Sequence, residues 1–340
     1  LNKKILDIVK LVLFAGIGIF LLWFATRKFD FVELGNKLKS ADYKWALFAL
    51  IFALVSNVNR SIRWNMLLKP LGYNPRIINT FCAVLIGYFA NLAVPRLGEV
   101  SRCAILNTYE KVPIDKSLGT VVTERIIDVI TLFACLLLVL VFQFDKVSSI
   151  TSKYIINPIL GKLSILSDNK LILAVVLVIG SLLIFFALKM LRKSQFYIKL
   201  IKTLKGFAEG ISSVTKLETP WLFLFHTVMM WVMYWMSAYI TFFAFPFTAS
   251  LGLGIGFVVM VFGAFGFAAP VQGGIGTYHI IISLTLLQYG ISEIDGFSYA
   301  TLGHATQSIA VILFGTASLI LLPIINRKKV ASNDTSSNFE

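Results

Sequence analysis

Residues 77–102 read IINTFCAVLIGYFANLAVPRLGEVSR, an apolar run that leads directly into Pro95, Arg96, Gly98, Glu99 and Arg102. Proline removes a backbone donor and glycine loosens the chain, so a helix starting near Ile77 is expected to break at Pro95. Ionisable groups follow at once, with no polar loop between them and the apolar run. That juxtaposition predicts a chain that turns inside a membrane at this point instead of crossing it.

The composition makes the bilayer the solvent. Of 340 residues, 57% are hydrophobic and only 14% charged, with a mean hydropathy of +0.82. One core of this size cannot hide so much apolar surface. Stretches near 8–25, 43–60, 117–142, 171–190, 220–245 and 299–325 approach the length that about 30 Å of hydrocarbon requires. Two further apolar runs, 77–93 and 251–269, end in the breakers Pro95 and Pro270. The short alternating strands of a barrel are missing from the sequence. The expected fold is therefore an all-α integral membrane protein with six full transmembrane helices and two re-entrant helical hairpins.

The formal charge of +14 lies mostly in short loops, where it sets orientation and meets anionic lipid, so no nucleic acid partner is expected. Arg60, Arg63, Lys69 and Arg76 form one acid-free cluster, and Arg192 to Lys216 supply another. Both are expected on the cytoplasmic side with Arg327-Lys328-Lys329, whereas Glu293 and Asp295 mark an outside loop. The stretch between Arg76 and Lys111 then enters and leaves on one face, and 251–290 on the other. Their turns share a pattern, Ala93-x-Pro95-x-x-Gly98-x-Val100 and Ala268-x-Pro270-x-x-Gly273-x-Ile275. This is the layout of an inverted repeat, about 1–142 and 171–326, within one membrane domain of 1–326. The N-terminal apolar run is expected to be an uncleaved span, and 327–340 a disordered tail. Both termini are expected in the cytoplasm of a bacterial inner-membrane protein. Cys82, Cys103 and Cys135 lack metal-ligand spacing, and no metal or cofactor is expected.

The densest polar constellation comprises Asn91, Pro95, Arg96, Gly98, Glu99 and Arg102, then Glu124, Arg125 and Asp128 in the next span. Six unpaired charges at about 3 kcal/mol each would cost on the order of 18 kcal/mol, so these groups must pair or face water. Arg96, Arg102 and Arg125 balance Glu99, Glu124 and Asp128, and Arg96/Glu99, Glu99/Arg102 and Glu124/Asp128 have helical neighbour spacing. Two roles fit such a network. It locks a hairpin to its neighbouring span, or it lets an arginine hold a phosphate bidentately while a carboxylate exchanges protons or releases the ligand. The second turn offers Pro270, Gln272, Gly273, Gly274, Gly276 and Tyr278, suited to a tight hairpin or to head-group contact. His226 and His304 occur singly within spans, where hydrogen-bonded packing is their expected role.

The run NLAVPRLGEVSRCAIL followed by TVVTERIIDVITL resembles the signature of the lysylphosphatidylglycerol synthase transmembrane region, or flippase-like, family. Arg63-Trp64 with Leu67, Leu68 and Gly72 resembles its early motif, and Pro270, Gly273, Gly274 and Gly276 its late Pro-Gly-Gly turn. The resemblance implies a lipid-handling membrane domain, in some members lipid translocation. Bifunctional members carry a soluble synthase domain after the membrane region; only a short tail follows Arg327 here, so aminoacyl-lipid synthesis is not expected. Nor is direct ATP coupling, since there is no Gly-x4-Gly-Lys-Ser/Thr loop. A lipid translocase for an anionic phospholipid or polyisoprenyl-phosphate lipid, an intramembrane head-group-modifying enzyme and a non-transporting scaffold all remain compatible with the residues, as does a homo-oligomer.

Overall fold

The computed structural model describes residues 30–94, 97–143, 217–269 and 271–336, with side chains as far as Arg327, and a few positions between 16 and 27 and at 214. All regular structure among the described residues is helical: α1 Phe31–Lys39, α2 Tyr43–Leu68, α3 Ile77–Ala93, α4 Leu97–Glu110, α5 Ile114–Phe142, α6 Pro220–Thr241, α7 Leu253–Ala268, α8 Thr277–Leu287 and α9 Glu293–Ser336. The chain divides into two compact units, Leu1–Arg125 with Lys216–Glu340, and Ile126–Thr215. Among the described residues the second unit holds the later turns of α5, an apolar helical segment.

Local sequence explains the helix ends. The Asp30 carboxylate accepts from the Val32 amide at 2.7 Å and Asp42 from Lys44 at 3.2 Å, capping α1 and α2. After Leu68, Pro70 cannot continue the ladder and Gly72 turns the chain with φ 86°. Pro220 opens α6 from the position where its missing donor costs nothing. Four helical stretches, Tyr43–Leu71, Ile114–Phe142, Pro220–Ala244 and Glu293–Arg327, run 25 to 35 residues and are apolar enough to cross a bilayer. The chain is an integral membrane protein.

Between these long helices lie two short pairs. α3 and α4 have 17 and 14 residues, α7 and α8 have 16 and 11, so each is about 17–26 Å long, less than the hydrocarbon thickness. Each pair is a hairpin drawn tight by glycine. A Cβ on Gly98 would lie 2.1 Å from the Gly87 carbonyl oxygen, and one on Gly266 2.8 Å from the Tyr278 Cα. The order long, short, short, long occurs twice at one offset, 175 positions (Pro95 to Pro270). Moved by that offset, α2 falls on 218–243 and α3 on 252–268, where α6 and α7 lie.

The hairpins point at each other from opposite ends of α2. At the base of the first, Asn65 near the end of α2 accepts from Thr80 at 2.7 Å and donates to the Pro75 carbonyl at 2.9 Å. The base of the second, with Leu251 and Leu286, packs in one cluster with Ala41 and Ala46 at the start of α2. Their tips meet, for a Cβ on Gly273 would stand 3.2 Å from Leu92 Cδ2. α9 braces both pairs: a Cβ on Gly315 would lie 2.6 Å from Phe89 Cβ on α3, one on Gly296 would lie 3.0 Å from Ser283 Cα on α8, and Asn326 exchanges side-chain hydrogen bonds with Asn79 at 3.0 and 3.1 Å.

The structure corrects one sequence expectation. The second crossing does not stop at 60; α2 continues to Leu68, so Arg60 and Arg63 are not loop residues but are buried, 4% and 0% exposed. With Trp64, Leu67 and Leu68 they occupy one helical face, and that face turns inward. The expected crossing at 171–190, most of that at 8–25, and Pro95, Arg96 and Pro270 lie outside the described residues.

Candidate functional site

Two helices direct arginine side chains to one carboxylate on a third. Glu124 on α5 is fully buried. Its Oε1 accepts from Arg60 Nη1 and, at 3.3 Å, from Arg63 Nη2, both on α2. Arg102 Nη1, from α4, stands 3.0 Å from Oε2. Arg60, Arg63 and Trp64 share a face of α2 because they are spaced three and four apart. The Trp64 ring lies under the Arg102 guanidinium, with Cζ 4.6 Å from its centroid, and its Nε1–H donates to Thr120 at 2.9 Å. α6 contributes Thr227, 3.4 Å from Arg63 Nη1, and the Phe223 ring, 5.7 Å from Arg63 Cζ.

Burying these charges is tolerable only because each guanidinium has a shared anion or an aromatic face. Removing one member of such a buried group costs about 3–5 kcal/mol, more than a well-packed apolar replacement of the whole would. Asp128 lies one turn beyond Glu124 along α5, in the second unit. Even counting Asp128 with Glu99 and Glu124, the arginines at 60, 63, 102 and 125 leave a positive balance.

A small open recess lies beside this cluster, lined by Gly87, Tyr88, Asn91, Glu99, Arg102 and Arg125 among others. The hairpin tip shapes it. Asn91 Oδ1 accepts the Gly98 amide at 2.7 Å, satisfying one of the open donors in the first turn of α4. Glu99 then accepts from Arg125 Nη2 at 2.9 Å. The two ion pairs differ in setting: the Arg125 and Glu99 side chains are 41% and 24% exposed, whereas those of Arg102 and Glu124 are 4% and 0%. Arg102 joins the layers, since it both faces Glu124 and lines the recess.

The second turn is built differently. Gly273, Gly274 and Gly276 adopt φ of 56°, 73° and 82°, left-handed values that side chains other than glycine rarely accept. The Gly273 carbonyl meets His304 Nε2 at 2.8 Å, and Thr277 Oγ1 donates to the Gly266 carbonyl at 2.8 Å. Tyr278 packs on Phe267, ring centroids 4.5 Å apart. His226 meets Asn59 Oδ1 at 2.7 Å.

Of the residues singled out in the sequence, Asn91, Gly98, Glu99, Arg102 and Arg125 meet at one recess, with Glu124 behind them. Gly273 touches the first hairpin at Leu92, while Gln272, Gly274, Gly276 and Tyr278 shape the second hairpin. The pairings run between helices, Glu99 with Arg125 and Arg102 with Glu124, and not along α4 between Glu99 and Arg102 as their spacing suggests. Arg60, Arg63, Trp64, Gly87 and Tyr88 were not foreseen at the site. Their signal was present in part, as the inward face that Arg60, Arg63, Trp64, Leu67 and Leu68 make at helical spacing.

Comparison with known proteins decides the family. Residues 8–315 match the family described as the lysylphosphatidylglycerol synthase TM region. The chain belongs to that family. Over 94 residues this lysylphosphatidylglycerol synthase TM-region protein is 33% identical to UPF0104 membrane protein MJ1595 of Methanocaldococcus jannaschii, a stretch covering 27% of this chain and 28% of that relative. No solved structure matches it.

Proposed function

We propose that this protein is a lipid translocase that receives a phosphate-bearing or otherwise anionic head group at the recess between the first hairpin and α5, while the acyl or isoprenoid tail stays in the bilayer. The observation that carries the reading is a buried, positively balanced arginine cluster opening on a recess at the tip of a broken helical hairpin. An anion crossing bare hydrocarbon faces a desolvation cost of many kcal/mol, and fixed guanidinium groups offset it. Membership of the lysylphosphatidylglycerol synthase TM-region family supports a lipid-related role.

The proposal includes a topology of six crossings and two re-entrant hairpins that enter from opposite faces, with their tips meeting near the midplane. It rests on the constant offset of 175 positions and on hairpin bases at opposite ends of α2. Lys69, Arg76 and Lys111 then lie at the cytoplasmic end.

The test is reconstitution. Purified protein in liposomes carrying fluorescent lipids is expected to speed exchange between leaflets over empty vesicles, measured with a membrane-impermeant quencher. Arg102→Gln or Glu124→Gln is expected to abolish the acceleration. If no lipid moves faster than in empty vesicles, translocation is rejected and a scaffold role for the charge cluster takes its place.

A further inference from the structure

We propose that the Nε–H/Nη2–H edge of Arg102 is a bidentate receptor for a tetrahedral phosphate oxyanion. The inference rests on the reading of the recess as a head-group site and names the group that recognises the ligand. Two contacts orient this guanidinium, whose side chain is only 4% exposed: its Nη1 faces Glu124 Oε2 at 3.0 Å, and its Cζ lies over the Trp64 ring, 4.6 Å from the centroid. What these contacts leave over is one edge, for neither Nε nor Nη2 has a hydrogen-bond acceptor among the described residues, although both are buried. Those two donors point the same way from a guanidinium and match two oxygens of a phosphate. A buried donor pair without an acceptor is costly, and a ligand oxyanion removes that cost.

Arg102 lines the recess, and the other ionisable groups there fit the role. Glu99 and Arg125 neutralise one another at 2.9 Å, so the recess does not repel an anion. In this conformation there is room for about one water, less than a phosphate needs. The ligand therefore enters only when the α4 end of the hairpin parts from α5, and the contact that must open is the partly exposed pair of Glu99 and Arg125. Arg102 sits behind that latch.

The experiment measures binding to the full chain in detergent, by calorimetry and by thermal stabilisation. The probes are dioctanoyl phosphatidic acid, dioctanoylglycerol with the same tails and no phosphate, and inorganic phosphate. Phosphatidic acid is expected to bind and dioctanoylglycerol not. Arg102→Lys keeps the charge but loses the edge, and is expected to weaken binding at least tenfold, while Arg76→Lys leaves it unchanged. Wild-type affinity in Arg102→Lys overturns the proposal, as does equal binding of dioctanoylglycerol. Should Arg102→Lys fail to fold, the comparison of the two lipids on the wild type still decides. Binding of inorganic phosphate without lipid keeps the receptor and assigns it to free phosphate. Arg102-dependent binding without any liposome transport leaves the receptor standing and removes translocation; transport at wild-type rate in a folded Arg102→Lys protein does the reverse.

Discussion

The Tyr299 hydroxyl donates to the Ala238 carbonyl at 2.7 Å, and these two residues stand 175 positions after Glu124 and Arg63, which form a buried ion pair at 3.3 Å. One place in the repeated architecture thus holds a fourth-helix side chain reaching the first helix in both copies. The first copy makes the link with charge, the second with a neutral hydroxyl. The charged link therefore belongs to one half of the molecule, and the other half supplies a neutral counterpart whose tip rests on Leu92.

That asymmetry predicts unequal costs for equivalent substitutions. Glu124→Gln strands buried guanidinium groups and is expected to destabilise by about 3–5 kcal/mol. Tyr299→Phe removes one hydrogen bond to a carbonyl and should cost about 1 kcal/mol. Unfolding in detergent, followed through the reactivity of buried Cys103, compares them directly; equal losses contradict the assignment of charge to one half.

Glycine packing in the first hairpin has a sharp test. Gly98→Ala would press a methyl to 2.1 Å from the Gly87 carbonyl oxygen, where backbone must move, and a loss of about 1–3 kcal/mol or misfolding is expected. Gly119→Ala has nothing within 4 Å and should be neutral or gain up to about 1 kcal/mol from helix propensity. Thermal unfolding of both variants checks the contrast.

The outer ion pair should matter for transport and little for stability. Glu99→Gln breaks a pair whose side chains are 24% and 41% exposed, a contact expected to contribute at most about 1 kcal/mol. In liposomes the same variant is expected to change the transport rate at least tenfold, because in the proposed mechanism this pair parts before a ligand reaches Arg102. A large stability loss with an unaltered rate would mark it as a structural clamp instead.

α1 is tied to the start of α9 by Lys37, whose Nζ lies 2.7 Å from Asp295 Oδ1 and 3.4 Å from Glu33. The hydrogen bond from Lys37 to Asp295 raises the lysine above its ordinary value, against the opposing effect of burial. A raised lysine contributes stability that is fully present below its unfolded pKa, about 10.4, and lost as pH rises through the folded value. Stability from this link should thus be flat across neutral pH and fall only in strong alkali. Asp295→Asn should remove that alkaline slope; an unchanged slope in unfolding between about pH 9 and 12 refutes the link.

Much of the fold was legible in the sequence, because hydropathy and helix breaking are local properties. The apolar stretches at 43–60, 117–142, 220–245 and 299–325 each correspond to a long helix, and the runs before Pro95 and Pro270 to short ones. The repeated Ala-x-Pro-x-x-Gly pattern marked the two places where one short helix gives way to another, although the two turns are built differently. Reading Arg60 and Arg63 as loop charge went wrong because arginine in isolation looks solvated, and only a partner makes its burial affordable.

What the sequence determined by itself is a helical membrane chain broken at Pro95 and Pro270, with ionisable residues gathered after the first break. Which charges meet was decided by tertiary structure alone. Glu124 and Arg60 are 64 positions apart, and Glu99 and Arg125 26, and nothing in their spacing selects those pairs over Glu99 and Arg102. In a low-dielectric interior a charge pairs with the opposite charge that packing brings within about 3 Å. That choice follows from helix neighbours, from Gly98 seated on Gly87 and from Trp64 beneath Arg102, none of which is a local property of the chain.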